Sequence, residues 1–221
     1  MKRGWTLLLI FFAVVGFSGI AAADLITIGT ATYNGRDYNL IYEDDQGLVW
    51  LDYTMRNPGG WENSVKWAAG LNASGVLTYK FNPGISVTWE DDWRLPNTID
   101  GKRTYGYDGK TTAGFNITTS EMGHLFYVSL GNLGHYDIDG RQRSGWGDDA
   151  DWGLKNKGPF TNLISGIYNS YWSGTEYSIY YQHAWAFSFA FGSQSNGAWK
   201  TDQGYSAIAV RPGKVVSAPV R

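Results

Sequence analysis

The sequence predicts an α+β domain built mainly on antiparallel strands. Three observations predict it. Twenty-nine glycines accompany an aromatic content of 16%, a combination that suits tight turns and half-buried strands. Period-two alternation occurs near both ends of the chain. Between them lie two segments whose apolar residues recur at three- and four-residue spacing.

Taken in order, residues 25–32 alternate toward β, and Asn34-Gly35 is a two-residue hairpin turn of the I′ kind. Residues 38–42 form the returning strand. Asp44 to Gly47 turns the chain again into the apolar strand Leu48-Val49-Trp50-Leu51. Pro58-Gly59-Gly60 ends this meander, and Trp61, Val65, Ala68 and Leu71 mark one face of a first helix. Thr118 and Glu121 have the capping-box spacing. Met122, Leu125, Phe126 and Leu130 continue as a second helix, with Gly131 as its stop. Residues 99–115 and 131–158 are rich in Gly, Asp, Thr and Tyr and read as long surface loops, the kind that carry function in compact domains. From His183 to Phe191 bulky residues alternate with Ala184, Ala186, Ser188 and Ala190, giving a strand with one bulky and one small face. Gln194 to Gly197 reads as a turn and Tyr205 to Val210 as a closing strand. Pro212 to Arg221 reads as a frayed end, with a flexible tail from 214 to 221.

The first 23 residues read as a signal peptide outside the domain. Lys2 and Arg3 precede an apolar run, Leu7 to Phe17, and Ala21-Ala22-Ala23 supplies small residues before Asp24. The run is shorter than the roughly 20 residues of a membrane span. Removing 23 of 221 residues leaves 198, enough for one domain, taken as 24–213. Loss of Lys2 and Arg3 moves the formal charge from −2 to −4. An acidic domain without a clustered basic face argues against nucleic acid as a partner. The chain has no cysteine, which excludes disulfides, thiol catalysis and thiolate metal sites.

The loop 131–158 collects the richest chemistry. Asp137, Asp139, Asp148, Asp149 and Asp151 crowd oxygen ligands into one stretch, making them candidate calcium ligands, since calcium takes about six to eight oxygens. The spacing does not complete an EF-hand, because Arg141 and Gln142 stand where ligands are needed. Trp146 and Trp152 flank these aspartates and are candidate stacking rings for a sugar, although a given ring in such a chain is more often core. His124, His135 and His183 have no ligand spacing and read as core or cap residues. Glu90, Asp91, Asp92 and Glu176 could supply a paired-carboxylate site of glycosidase type. No nucleophile, base and orienter can be assembled around them, so the chain does not read as an enzyme. Arg94 and Arg211 read as struts whose guanidinium forks satisfy several acceptors at once.

Four motifs then occur in order: Gly47-Leu48-Val49-Trp50-Leu51-Asp52, Asp92-Trp93-Arg94-Leu95-Pro96, Tyr171-Trp172-Ser173-Gly174-Thr175-Glu176-Tyr177 and Ala209-Val210-Arg211-Pro212-Gly213. Together they resemble the bacterial Lcl C-terminal-domain family, named for the C-terminal domain of a collagen-like adhesin. Ser120-Glu121-Met122-Gly123-His124-Leu125-Phe126-Tyr127 resembles a marker of an exported subgroup. The resemblance covers residues 30–213. It implies a C-type-lectin-like fold and an extracellular binding role, since the named adhesin domain binds sulfated glycosaminoglycans and assembles as a trimer. Two departures modify that expectation. The acidic charge disfavours an electrostatic grip on a polysulfated chain. The chain ends at Ala218-Pro219-Val220-Arg221 without the Pro-Glu-Pro sorting signal, apolar span and basic residues of many relatives, which implies release or loose association.

The expectation is therefore an exported binding module, periplasmic, cell-surface or extracellular, that recognises a polysaccharide or surface glycan. Trp146 and Trp152 would stack on the sugar, calcium would be the one candidate cofactor, and a homo-oligomer is compatible with the family. Tryptophan burial is the discriminator. A structural or protein-interaction domain without glycan binding is the alternative.

Overall fold

Strand burial on both faces explains the apolar run Leu48 to Leu51. In a computed structural model that describes residues 24–166 and 169–217, Leu48 and Trp50 face one core while Val49 and Leu51 face another. The same alternation recurs in Leu40 and Ile41, and in Ala207 to Val210. A strand with cores on both sides needs no polar face, so its sequence reads as a continuous hydrophobic run. The fold is α+β and sheet-rich, with two short helices. The signal-peptide segment 1–23 and the terminal residues 218–221 lie outside the described residues.

The meander is β1 (Leu25–Tyr33), β2 (Arg36–Glu43) and β3 (Leu48–Arg56), paired antiparallel. Asn34 and Gly35 both have positive φ, 50° and 74°, as their turn requires. The helix α1 (Trp61–Gly70) follows, then β4 (Thr78–Phe81) and β5 (Ile85–Trp89). Two short strands, β6 (Tyr105–Gly106) and β7 (Ala113–Phe115), precede α2 (Glu121–His124), which continues as a π-helical turn over Leu125–Ser129. The closing strands are β8 (Tyr171–Glu176), β9 (His183–Ser188), β10 (Ser193–Trp199) and β11 (Ser206–Ser217). Their order across the sheet is β4-β1-β2-β3-β11-β8-β9-β10-β7-β6, with β5 paired to the far half of β11.

The two cores divide the helices. On one side Ala68 and Leu71 of the α1 region pack with Trp93, Leu95 and Trp172 against the small face of β9, Ala184 and Ala186. On the other, Leu125 and Phe126 pack with Trp50, Tyr171, Phe187 and Phe189. The expected bulky and small faces of β9 are thus real, and they match the space that large rings leave on each side. Each fully buried ring stabilises by about 2–3 kcal/mol.

Three boundaries differ from expectation. β9 stops at Ser188, and the turn lies at 189–192 around Gly192, whose φ is 70°. Gln194 to Gly197, read as a turn, is part of β10. The tail expected from 214 is strand as far as Ser217, because Gly213–Ser217 pairs with Trp89–Ile85. The segment Lys214-Val215-Val216-Ser217 has no period-two alternation to signal that distant partner.

The helix start also differs. Ser120, not Thr118, caps α2, accepting a hydrogen bond from the Gly123 amide at 3.1 Å. Glu121 is freed from capping and instead pairs with Arg94, Nη1 to Oε2 and Nη2 to Oε1, both at 2.7 Å. Arg94 in turn exchanges two backbone hydrogen bonds of 2.9 Å with Val210. The Pro96 carbonyl accepts from the Gly174 amide and the Ser173 hydroxyl. The motif Asp92 to Pro96 therefore ties α2, β8 and β11 together.

Candidate functional site

The loop 131–158 is closed on itself by its own polar side chains and joined to the β9–β10 turn by a backbone hydrogen bond and ring packing. Gly131 leaves the helix at a φ of 63°. Asn132 then accepts from the amides of Lys155 and Asn156 through Oδ1 and donates to the Asn156 carbonyl through Nδ2. Leu133 bridges Gly153, and the His135 amide donates to the Phe191 carbonyl at 2.8 Å. Gly153 has a φ of 87°, and a Cβ there would lie 2.8 Å from the Ala190 carbonyl oxygen. Only a glycine lets the two backbones approach this closely.

This arrangement brings four rings together. Trp152 lies nearly parallel to Phe191, with centroids 5.8 Å apart at 19°, and against His135 at 4.1 Å. Trp146 meets Trp152 edge to face at 5.3 Å. The two tryptophans take different roles. Trp152 is 6% exposed and its indole N–H is shared by the Ser144 and Gly145 carbonyls, so it is a wall of the loop's core. Trp146 is 58% exposed. Beside them opens a cavity of about 350 Å³, lined by Trp146, Trp152, Leu154, Lys155, Ser165 and Phe191 with glycine backbone between. Ligand pockets usually measure about 300–1,000 Å³ and combine apolar rings with a few polar groups. Burial lowers the His135 pKa, favouring the neutral ring, and its Nε2 faces the Gln142 side-chain amide at 3.0 Å.

The aspartates do not converge in the same way. Asp137 Oδ1 accepts from the backbone amides of Asp139 and Arg141 within its own turn. Asp139 pairs with Arg141 at the surface, and Asp149 and Asp151 are exposed. The Asp148 side chain lies outside the described set. Among the described residues, the set of three metal-ligand groups within 4.8 Å of one another is Glu43, Asp45 and His124. Among the described residues, Asp137, Asp139, Asp149 and Asp151 form no such group: Asp137 Oδ1 is engaged by its own turn and Asp139 by Arg141.

The other carboxylates of interest are held by cations. Glu90 pairs with Lys214, Asp92 lies 3.9 Å from Arg211, and Glu176 pairs with Lys200. Arg211 also donates to the Asp91 carbonyl and covers the Trp89 ring at 4.5 Å, a strut as expected. Sequence reasoning missed a second exposed aromatic group, Tyr180, Tyr181 and Trp199, near the β8–β9 connection. His183 lies against Trp199 at 4.5 Å. Tyr180, Tyr181 and Trp199 lie outside the alternating segments, so no sequence pattern singled them out.

No family model, no curated protein and no solved structure matches this chain. Among the described residues no helix is long and apolar enough to cross a membrane.

Proposed function

We propose that this chain is an exported binding module of the Lcl C-terminal-domain kind, C-type-lectin-like in fold. It recognises a polysaccharide or cell-surface glycan through the cavity beside Trp146. The observation that carries the reading is the pairing of a buried Trp152 with a Trp146 left 58% exposed at a cavity of about 350 Å³. An exposed indole held rigidly by a neighbouring ring offers a flat apolar face, and the adjoining Ser165 and backbone groups offer hydrogen bonds to hydroxyls. Among the described residues the lining carries no pair of carboxylates for acid and base roles, which favours binding over glycan hydrolysis. Nor does the reading need calcium, since the described aspartates lie outside the cavity lining.

A glycan array probed with the mature chain, with and without calcium, tests this reading. Binding lost in Trp146→Ala and kept in Trp199→Ala supports it. Absence of binding to every glycan sinks it. The exposed Tyr180, Tyr181 and Trp199 favour a second reading, a protein-interaction surface. Pull-down of a protein partner that is lost in Trp199→Ala would select that one.

A further inference from the structure

A second cluster lies where the β2–β3 turn meets α2, away from the aromatic cavity. Glu43, the last residue of β2, is 0% exposed, so its carboxylate must be compensated where it stands. Trp50 Nε1 donates to Oε2 at 2.8 Å, and the Ser129 hydroxyl donates to Oε1. His124 completes the surroundings, with Nδ1 at 3.0 Å from Glu43 Oε1. The other ring nitrogen, Nε2, is 3.1 Å from Asp45 Oδ2, and Asp45 is open to solvent at the turn.

The charges do not balance. Two carboxylates face one imidazole, and Asp44 adds a further negative charge beside them. A protonated ring leaves the cluster at a net negative charge. A divalent cation on a neutral ring cancels both Glu43 and Asp45. The spacing suits such an ion, because ligands bound at about 2.0–2.2 Å sit about 3 Å or slightly more apart. Glu43 has the place of the buried carboxylate that fixes a ligating histidine from behind, leaving Nε2 directed outward. Imidazole with carboxylate suits zinc-like transition cations better than calcium or magnesium, which take oxygen.

We propose that His124 and Asp45, backed by Glu43, bind a divalent transition-metal cation at the junction of the β2–β3 turn and α2. Water would complete the ligand shell. Because the two ligands come from elements about 80 residues apart in sequence, the ion clamps the first hairpin to the second helix. This site is independent of the glycan reading.

The test is calorimetric titration of the EDTA-stripped mature chain with zinc chloride, alongside Asp45→Asn and His124→Gln. One zinc per chain is expected, with proton release that varies with buffer ionisation enthalpy and a raised melting temperature. Each variant should bind at least roughly tenfold more weakly. Asp45→Asn changes an exposed turn residue and keeps the test valid if the helix variant does not fold. Failure of zinc, cobalt and manganese alike to bind the wild type overturns the proposal, leaving an imidazolium held between carboxylates. Zinc affinity unchanged in both variants overturns it too, placing the ion elsewhere. Glycan binding should be the same in Asp45→Asn as in wild type, so failure of one reading does not carry the other with it.

Discussion

Arg94 grips Glu121 through two parallel hydrogen bonds of 2.7 Å, and Glu121 Oε2 also accepts the Asn97 amide at 2.7 Å. The fork joins two segments 27 residues apart and is largely sheltered, with side-chain exposures of 28% and 17%. Removing one partner leaves the other charge poorly solvated. Glu121→Ala is expected to cost about 2–4 kcal/mol, read as a lower urea midpoint with an unchanged m-value. Arg94→Lys should lose most of that too, because an ammonium cannot replace a planar fork. Near-wild-type stability in both variants would show that the brace is not an energetic one.

The two tryptophans of the loop should separate binding from folding. Trp152→Ala deletes a buried ring with its hydrogen bonds and should cost about 3–5 kcal/mol. Trp146→Ala removes an exposed ring, so the melting temperature should stay close to wild type while glycan affinity falls by about tenfold or more. Intrinsic fluorescence titration with any array-positive glycan gives the affinities. Equal binding losses in a fully folded Trp199→Ala would argue against the cavity.

Asp52 anchors the segment leading into β8. It is wholly buried and accepts from the Thr161 amide and hydroxyl and from the Asn162 amide and side chain. Asp52→Ala strands four donors and should cost about 2–4 kcal/mol. Hydrogen exchange should quicken first at Thr161 and Asn162, before the strands of the meander. Uniform protection loss across the sheet would contradict a local anchor.

Alkaline pH should unfold the chain through two tyrosines. Burial raises the pKa of Tyr127 and Tyr171 to about 12. In the unfolded chain both ionise near about 10. A folded pKa above the unfolded one means stability is complete below about pH 10 and is lost as pH rises toward about 12, by up to roughly 2–3 kcal/mol per tyrosine. Tyr127 hydroxyl donates to the Gly192 carbonyl and accepts from the Asn116 amide, so its ionisation also loosens the turn beneath the cavity. Tyrosinate absorbance and circular dichroism should change together. Full ionisation with the fold intact would contradict the burial argument.

Much of the architecture was legible because it rests on local pattern. The apolar run Leu48 to Leu51, the Asn34-Gly35 turn and the alternation from His183 each state a backbone geometry and which sides are buried. Ser120 was overlooked as the cap because Thr118 has the better spacing to Glu121, whereas the chain turns helical two residues later and Glu121 is taken by Arg94. The strand at Lys214–Ser217 was missed because its partner β5 lies over a hundred residues earlier.

The sequence by itself determined that this is an α+β domain without disulfides, that Arg94 reads as a strut, and that loop 131–158 holds tryptophans beside polar groups. Only tertiary structure decided which tryptophan stays exposed, because Trp152 is covered by Phe191 from the distant β9–β10 turn. Tertiary structure likewise drew Glu43, Asp45 and His124 together, a group that includes none of the described loop aspartates. Asp137 satisfies an oxygen within its own turn, while the buried Glu43 carboxylate needs a compensating group that the chain supplies from a distant helix.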